Sequence, residues 1–556
     1  RDDSREASHI SDLFLRQFDH FDLRDSEVSF LTPSGQRAEL AIPQLTWLND
    51  PRRHRAEGLV SLSSLTGQHG VMQVRMDLRD DEGLLSNGRV WLQADDIDLK
   101  PWLGKWMQDN IALETAQFSL EGWMTIDKGD VTGGDVWLKQ GGASWLGEKQ
   151  THTLSVDNLT AHITRENPGW HFSIPDTRLT MYGKPWPSGA LTLAWIPEQD
   201  VGGKDNKRSD ELRIRASNLE LAGLEGIRPL AAKLSPALGD VWRSTQPSGK
   251  INTLALDIPL QAADKTRFQA SWSDLAWNQW KLLPGAEHFS GTLSGSVENG
   301  LLTASMKQAK MPYETVFRAP LEIADGQATI SWLNNDKGFQ LDGRNIDVKA
   351  KAVHARGGFR YLQPANDEPW LGILAGISTD DGSQAWRYFP ENLMGKDLVD
   401  YLSGAIQGGE ADNATLVYGG NPQLFPYKHN EGQFEVLVPL RNAKFAFQPD
   451  WPALTNLDIE LDFINDGLWM KTDGVNLGGV RASNLTAVIP DYSKEKLLID
   501  ADIKGPGKAV GPYFDETPLK DSLGATLQEL QLDGDVNARL HLDIPLNGEL
   551  VTAKGE

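Results

Sequence analysis

Apolar and polar residues alternate along many short runs of this 556-residue chain. In the runs 72–78, 254–260, 457–463 and 540–546, Leu, Ile, Val, Met or Phe occupies every second position, and most residues between them are polar. Side chains alternate between the two faces of a strand, so each run predicts a β-strand with one apolar face and one polar face. We therefore predict a mainly β protein with a long apolar face, which is either buried within the fold or available to a ligand or partner.

Short helices are predicted where a proline precedes apolar residues at helical spacing. Pro101, Pro229, Pro390 and Pro518 open such segments, and proline suits the first helical turn because it has no N–H to leave unpaired. The apolar stripes are Trp102, Leu103, Trp106 and Met107; Leu230, Leu234, Ala237, Leu238, Val241 and Trp242; Leu398, Tyr401, Leu402, Ala405 and Ile406; and Leu519, Leu523 and Leu527. The glycines at 408–409 are expected to end the third helix. Helices this short are unstable alone, so we expect them to lie on the sheet.

The helices recur at regular spacing, since Pro101 to Pro229 and Pro390 to Pro518 are each 128 positions apart. The sequence Asn-Leu-Thr-Ala also recurs, at 158–161 and 484–487. Such periodicity is typical of repeat architectures. The predicted divisions are a partial repeat at 1–100, repeats that each open with a short helix at 101–228, 229–389 and 390–517, and the truncated start of a further repeat at 518–556. Since the chain starts without a signal peptide and stops within the pattern, we expect an internal fragment of a longer protein.

Charge and cysteine content exclude several classes of function. Lys and Arg number 54 against 77 Asp and Glu, a net charge of −23, which argues against nucleic acid as a partner because phosphate neutralisation needs clustered cations. The chain has no cysteine, so disulfide frameworks, thiolate catalysis and cysteine–zinc sites are excluded. Its longest apolar run, 370–377, is far shorter than the roughly 20 residues of a membrane-spanning helix.

Catalytic and metal-binding signatures are missing from the sequence. There is no His-Glu-x-x-His motif, no Gly-x-x-x-x-Gly-Lys loop and no Gly-x-Ser-x-Gly motif, and the 11 histidines lack ligand spacing. Asp458, Glu460 and Asp462 could act as paired carboxylates, but their alternation with apolar residues favours the polar face of a strand. We predict no enzymatic activity, no metal site and no cofactor.

The pattern leaves more than one architecture and more than one function open. Strands with one apolar face can form a sandwich, a solenoid or a trough. A trough would expose an apolar strip, which on a soluble protein indicates a ligand or partner. The 19 tryptophans offer an alternative, because exposed tryptophans can stack on sugar rings of a glycan. A structural scaffold that binds no ligand is a third possibility.

The segments 393–422, 432–436 and 445–463 resemble the AsmA-like proteins, and the similarity extends over essentially the whole chain. The resemblance implies an elongated, curled antiparallel sheet of the repeating β-groove type, which forms an open, taco-like apolar groove with short amphipathic helices at the repeat junctions. It further implies an inner-membrane anchor, absent from this chain, and a body in the periplasm of Gram-negative bacteria. The implied function is transfer of phospholipids between the inner and outer membranes during outer-membrane biogenesis. An envelope glycan-binding module and a structural envelope scaffold remain the alternatives.

The clearest alternating runs supply the candidate lining of such a groove. These residues are Met72, Val74, Met76, Leu254, Leu256, Ile258, Leu457, Ile459, Leu461, Phe463, Leu497, Ile499, Leu540, Leu542 and Ile544. We expect phospholipids as the ligands, both membranes as partners through parts absent from this chain, and a monomer. Some of these residues could instead pack beneath the short helices and not line the groove.

Overall fold

The computed structural model describes residues 20–31, 37–61, 71–81, 84–100, 112–166, 169–181, 183–200, 207–208, 210–234, 236–281, 283–515, 517, 534–546 and 552–555. The helices predicted after Pro101 and Pro518 lie outside these residues. The chain divides into two compact units, residues 1–273 (unit 1) and 274–556 (unit 2). The repeat boundaries predicted from the proline spacing are a different division and stay a prediction.

Unit 1 is built from antiparallel strands that mostly pair with their neighbours in the chain. Its strands are β1 His20–Leu31, β2 Arg37–Asn49, β3 Arg53–Ser61, β4 Val71–Asp81, β5 Leu84–Asp98, β6 Leu113–Asp127, β7 Asp130–Gly147, β8 Gln150–Arg165, β9 Trp170–Ile174, β10 Leu179–Met181, β11 Lys184–Pro185, β12 Leu191–Ile196, β13 Gln199–Asp200, β14 Lys207–Arg208, β15 Glu211–Glu220 and β16 Ser248–Pro259. Strands β1 to β8 pair in order, β8 pairs with both β9 and β10, and β12 joins β9 to β15, which pairs with β16. β11 extends β10, and β13 and β14 form a separate hairpin.

Unit 2 has the same antiparallel construction. The strand β17 Arg267–Trp277 contains the boundary between the units. The strands that follow are β18 Ala286–Gly295, β19 Asn299–Met311, β20 Leu321–Asn335, β21 Gly338–Ala350, β22 Val353–Pro364, β23 Trp370–Thr379, β24 Ile406–Gly420, β25 Gln433–Phe445, β26 Leu454–Ile464, β27 Gly467–Leu477, β28 Val480–Ile489, β29 Lys496–Pro506, β30 Asp535–Pro545 and β31 Thr552–Gly555. From β18 to β31 each strand pairs with the next.

The prediction of a mainly β, antiparallel fold with short helices is confirmed. The four alternating runs that carried it fall in β4, β16, β26 and β30. In β26 the burial pattern alternates residue by residue from Leu457 to Phe463, as a strand with one covered face requires. The described helices are α1 Arg228–Leu234, α2 Pro236–Thr245, α3 Glu391–Met394, α4 Lys396–Ala405 and α5 Gly507–Asp515.

The apolar stripe after Pro229 was predicted to form one helix, and this prediction is wrong. The segment forms α1 and α2, and Pro236 opens the second helix, where proline is favourable. The two helices pack closely: a Cβ at Gly239 would come within 2.5 Å of the Ala232 Cβ. Leu238 of the predicted stripe is 52% exposed. Arg228 anchors the pair to the β7–β8 hairpin through Glu148, at 2.5 Å.

The helix predicted after Pro390 is present, with one correction. Pro390 caps α3, and Gly395, whose φ is 91°, separates α3 from α4. The predicted apolar stripe is covered, since Leu398, Leu402 and Ala405 are all buried. However, α4 ends at Ala405, and the glycines at 408–409, which were expected to end it, lie within β24.

Many strands contain a residue with left-handed backbone geometry in mid-strand. Asp96, Asn345, Asn442 and Asn484 have φ between 48° and 51°, and the pairing register shifts at each of them. Asn and Asp tolerate this conformation better than other non-glycine residues. Such β-bulges bend a strand and increase its twist. The recurring Asn-Leu-Thr-Ala sequence has the same geometry, since Asn158 also has a positive φ, of 60°.

Candidate functional site

A row of apolar residues crosses ten strands of unit 1, because the strand register sets each of them opposite the next. From β3 to β16 the row comprises Ala56, Met76, Val90, Met124, Gly134, Ile163, Phe172, Leu193, Ile214 and Leu256. Directly opposite residues lie on the same face of a sheet. Unit 1 therefore presents one continuous apolar face, which we call the open face.

A second row runs beside the first, two positions along each strand and on the same face. It contains Gly58, Val74, Leu92, Gly122, Val136 and Ala161. Of the predicted lining residues in unit 1, Met76 and Leu256 belong to the first row and Val74 to the second. Leu254 is opposite Ala216, and Ile258 is opposite Leu212.

The predicted lining residues on the open face are neither fully buried nor fully exposed. The six predicted lining residues of unit 1, which include Met72, are each partly accessible to solvent. A cavity of about 420 Å³ lies on the face, within the range of about 300–1,000 Å³ typical of ligand pockets. Its lining residues are Met72, Val90, Leu92, Ala94, Ile97, Leu99, Leu120, Gly122, Trp123, Met124, Asp135, Val136 and Leu138. Asp135 is the one charged residue among these thirteen.

Gly122 forms part of the floor of this cavity. A Cβ built on it would meet nothing closer than the backbone oxygen of Asp135, at 3.6 Å, with the Leu92 side chain at 3.8 Å. These are ordinary van der Waals distances, so a larger side chain has room to project over the face. The sequence reasoning passed over this strand, although Leu120, Met124 and Ile126 do alternate, because glycine interrupts the apolar positions.

The opposite face of unit 1 is charged and aromatic. Glu57 and Arg75 form an ion pair at 3.3 Å, and the Arg75 guanidinium lies 5.1 Å from the centre of the Trp91 ring. The Trp91 Nε1–H donates to the Glu121 carboxylate at 2.8 Å. Trp123, directly opposite Trp91, is 40% exposed. A cavity of about 810 Å³ lies on this face and includes both tryptophans.

In unit 2 the register builds similar apolar rows. One row comprises Val438, Leu461, Met470, Ala487, Ile499 and Leu542. A second comprises Leu416, Val436, Phe463, Leu468 and Ile489. We call this apolar face of β25 to β30 the covered face. All nine predicted lining residues in unit 2 are 0–9% exposed, and they belong to a single hydrophobic cluster.

Helix α4 and the chain after β25 contribute to that cover. Leu398, Leu402 and Ala405 of α4 and Phe447 are members of the same cluster as Leu457 and Leu461 of β26. Within the described residues, a cavity on this face that borders Phe447 and Trp451 has a volume of only about 40 Å³. Whether any of the fifteen predicted residues lines a transport groove stays a prediction. The structure brings nine of them into one core and leaves six on the open face.

Ion pairs hold α4 from its outer side. The Arg318 guanidinium contacts Glu391 at 2.9 Å and Asp400 at 2.7 Å, and Lys396 bridges to Asp400 at 2.9 Å. The hydrogen bond from Arg318 lowers the pKa of the Glu391 carboxyl. Hydrogen bonds from Lys396 and then Arg318 lower the pKa of Asp400. These carboxylates are charged at neutral pH, and they bind α3, through Glu391, and α4, through Asp400, to the loop that carries Arg318.

Two further groups at α4 are poorly accommodated. The Tyr401 hydroxyl is buried without a hydrogen-bond partner in the described structure, and burial raises the pKa of Tyr401. At the start of α4, Asp397 lies against Glu495, and the hydrogen bond between the two carboxyls raises the pKa of Glu495. Ala405 at the other end accepts a backbone hydrogen bond from Ala446, at 2.9 Å.

The carboxylates predicted to form the polar face of a strand do lie on β26. Burial raises the pKa of Asp462 to about 6, and the hydrogen bond with Glu435 acts in the same direction. In the residues that the structure describes, no group of His, Asp or Glu side chains is arranged to hold a metal ion. Among the described helices, none has the length and apolar character to cross a membrane.

Comparison with known proteins gives two matches. The family model described as YhdP protein matches residues 1–556. The chain is 99% identical over 555 residues to the Intermembrane phospholipid transporter YhdP of Escherichia coli (strain K12), a match that covers 100% of this chain and 44% of that protein. The chain thus spans less than half the length of the curated relative. No solved structure matches it significantly.

Proposed function

Since the chain belongs to the YhdP family, we propose that its apolar face conducts phospholipids between the inner and outer membranes of a Gram-negative envelope. The chain would form one stretch of a longer hydrophobic groove in the periplasm. The relative's name, intermembrane phospholipid transporter, supports this assignment. No enzymatic activity is proposed. An inner-membrane anchor outside this chain and a monomeric state are parts of the same proposal.

The observation that carries the proposal is the open face of unit 1. Ten strands align apolar residues in one row, and a cavity of about 420 Å³ with one charged residue in its lining lies over four of these strands, β4 to β7. An apolar surface of this extent is unfavourable in water unless it binds something. A hydrocarbon chain is the ligand whose chemistry matches it.

The energetic requirement of lipid transfer matches this surface as well. Each methylene of an acyl chain exposed to water costs about 0.8 kcal/mol, so a free lipid would have to cross a barrier of more than about 10 kcal/mol. A continuous apolar face removes most of that cost. Because movement requires that no position bind much more tightly than the next, a row of similar aliphatic side chains suits transport better than one specific pocket.

The proposal is tested by placing a charge on the open face of the full-length protein. Met124→Asp introduces a carboxylate into the cavity, and Thr125→Asp places the same group on the opposite, exposed face of the same strand. Both variants are purified from envelopes without detergent, and phospholipid per chain is measured by mass spectrometry. We expect Met124→Asp to lose bound lipid and Thr125→Asp to keep it, with circular dichroism confirming that both fold. Equal lipid content in the two folded variants would contradict the proposal.

A glycan-binding module is the second candidate, favoured by the cavity of about 810 Å³ that includes Trp91 and Trp123. Tryptophan can stack on sugar rings. However, Arg75 lies over the Trp91 ring, so Trp123 is the better platform of the two. Glycan binding that is lost in Trp123→Ala and unaffected by Met124→Asp would favour this second function.

A further inference from the structure

Helix α4 is amphipathic, and its apolar side chains are part of the core that fills the covered face of unit 2. Leu398, Leu402 and Ala405, spaced by four and three residues, are buried in the cluster that contains Leu457 and Leu461. Lys396, Asp400 and Gly404 on the other side of the helix are exposed. The rows beneath are built like the rows of the open face, but helix side chains occupy the space above them.

The ends of α4 are fixed at two places far apart in the sequence. At its last residue, the Ala405 carbonyl accepts from Ala446, just after β25. At its start, the Asp397 carboxyl meets Glu495, just before β29. Since β25 to β29 pair in order, the helix reaches from one side of this group of strands to the other. It therefore lies across the face along which a lipid would have to pass.

Some contacts of α4 favour its position on the covered face, and others oppose it. The ion pairs to Arg318 are favourable, but they are partly exposed, so water and salt weaken them. Among the described residues the Tyr401 hydroxyl has no hydrogen-bond partner although it is buried, and Asp397 faces another carboxyl. With the helix displaced, the Tyr401 hydroxyl would be solvated and the two carboxyls would separate. The covered arrangement thus includes specific features that oppose it.

Glycines flank the helix where a displacement needs backbone freedom. Gly395 precedes α4 with φ of 91°, and a Cβ there would meet no atom within 4 Å. Gly404, in the last turn of α4, is equally unobstructed. Gly409 follows in β24 with φ of 135°. Rotation at Gly395 would move the start of α4 without disturbing the strands.

We propose that α4 is a gate: it occupies the place of acyl chains on the covered face, and its displacement opens that face to phospholipid. This inference rests on the proposed function, because only a transported lipid requires the face to open. The contacts of Leu398, Leu402 and Ala405 with the core stand in for those that acyl chains would make. Arg318 acts as the latch through Glu391 and Asp400.

The test locks the gate in the full-length protein. The chain described here contains no cysteine, so Asp397→Cys with Glu495→Cys adds one thiol pair to this part of the protein, which a short reducible bis-thiol reagent can bridge. The matched control pair is Arg53→Cys with Asp77→Cys, whose native side chains form an ion pair at 2.7 Å on the polar face of unit 1. The single-cysteine variants control for modification without bridging.

Contact with lipid is measured by photolabelling at one position in each unit. A diazirine side chain of methionine size is placed at Met124 on the open face or at Met470 on the covered face, and phospholipid labelling in whole envelopes is measured by mass spectrometry. We expect labelling at both positions in the unbridged protein. Bridging residues 397 and 495 should reduce labelling at Met470 to background, and reductant should restore it. Bridging residues 53 and 77 should leave Met470 labelling unchanged.

The other outcomes separate the two proposals. Labelling at Met470 that persists with the gate locked, or that is missing when labelling at Met124 is strong, would overturn the gate and leave lipid transport by the open face intact. No lipid labelling at either position in the unbridged protein would overturn the proposed function, and with it the gate.

Discussion

The open face of unit 1 and the covered face of unit 2 are built by the same rule and end in different states. In both, alternating strands in antiparallel register align apolar residues into rows. In unit 1 the rows stay partly accessible beside a cavity of about 420 Å³, whereas in unit 2 the corresponding cavity measures about 40 Å³. Alternation therefore creates an apolar face but does not decide whether that face becomes a groove or a core.

Two physical differences separate the regions. The rows of unit 1 include Gly58, Gly122 and Gly134, which contribute no side chain, whereas unit 2 has Leu461, Met470 and similar residues at the same kind of position. The covered face also receives apolar side chains from α4 and from Phe447. Burying one large aliphatic side chain contributes about 1.5–3 kcal/mol, so this cover stabilises unit 2 substantially.

Truncation of an apolar side chain should give the largest difference between the two faces, measured as the loss of unfolding free energy. Leu461→Ala removes a buried side chain from the cluster of unit 2, and we expect a loss of about 2–5 kcal/mol in unfolding free energy. Met76→Ala on the open face should cost clearly less, because that side chain is already partly exposed. Hydrogen exchange of the β26 and β4 amides reports each unit separately. Equal losses would remove the distinction between covered and open faces.

Filling the cavity should make the open face more like the covered one. Gly122→Leu places a side chain where a Cβ meets only ordinary contacts. We expect less phospholipid per chain, while unfolding free energy rises by about 0.5–1 kcal/mol because glycine is unfavourable in a strand. The control is Gly376→Leu, at an exposed position of β23 with no atom within 4 Å of its Cβ. Unchanged lipid content in Gly122→Leu would show that the cavity is not a lipid site.

The polar faces of the two units also differ in the partners of their carboxylates. This difference should appear in how stability depends on pH. Unit 1 pairs Glu57 with Arg75, whereas Asp462 in unit 2 lies beside Glu435, and burial raises the pKa of Asp462 to about 6. The pKa of this carboxyl is higher in the folded state than its value of about 3.9 in the unfolded chain. Its contribution to the stability of the folded state is therefore fully present below about pH 3.9, and it is lost as the pH rises through 6. Asp462→Asn should therefore stabilise unit 2 at pH 7 by about 1 kcal/mol or less, since the group is partly screened.

The pH dependence supplies the check on that prediction. The difference between Asp462→Asn and the native chain should disappear below about pH 4, where both side chains are uncharged. Asp458→Asn, on an exposed position of the same strand, serves as the control. A stabilisation that is independent of pH would mean that the ionisation of Asp462 is not its cause. Thermal unfolding across pH 3–8 measures the effect.

Removing the latch should have the smallest effect. Arg318→Ala deletes the ion pairs to Glu391 and Asp400, and we expect a smaller loss of unfolding free energy than for the core truncation, with faster hydrogen exchange confined to α4. Both carboxyls have lowered pKa values, so this stability is present above about pH 4 and is lost as pH falls through the lowered values. Native chain and variant should therefore converge in acid.

A matched surface change tests the specificity of that effect. Lys337→Ala, at the turn between β20 and β21, should leave the exchange of α4 unaltered. Faster exchange spread evenly over unit 2 in Arg318→Ala would contradict a latch on one helix.

Several features could be predicted because they depend on local sequence. The strands around Met76, Leu256, Leu461 and Leu542 follow from alternation alone, since the two faces of a strand are fixed by geometry. The helix after Pro390 follows from a proline and an apolar stripe. The break in the stripe after Pro229 could also have been found, because Pro236 is visible in the sequence and a proline restricts the residue before it.

The bulges were recognisable in part. Asn158 and Asn484 open the recurring Asn-Leu-Thr-Ala sequence, and both have positive φ in mid-strand. The sequence showed the recurrence but not its meaning, because an asparagine that shifts register looks like any polar position of a strand. Only the pairing of the neighbouring strand shows that the register moves at Asn484.

The sequence by itself determined that the chain is mainly β, that its strands have one apolar face and that a short helix follows Pro390. The tertiary structure decided that Leu461 lies in a core while Met76 lies on an accessible face, although both stand in equally clear alternating runs. The physical reason is that alternation depends only on the geometry of one strand. Burial depends instead on what residues far away in the chain, such as Leu402 of α4, place over that strand.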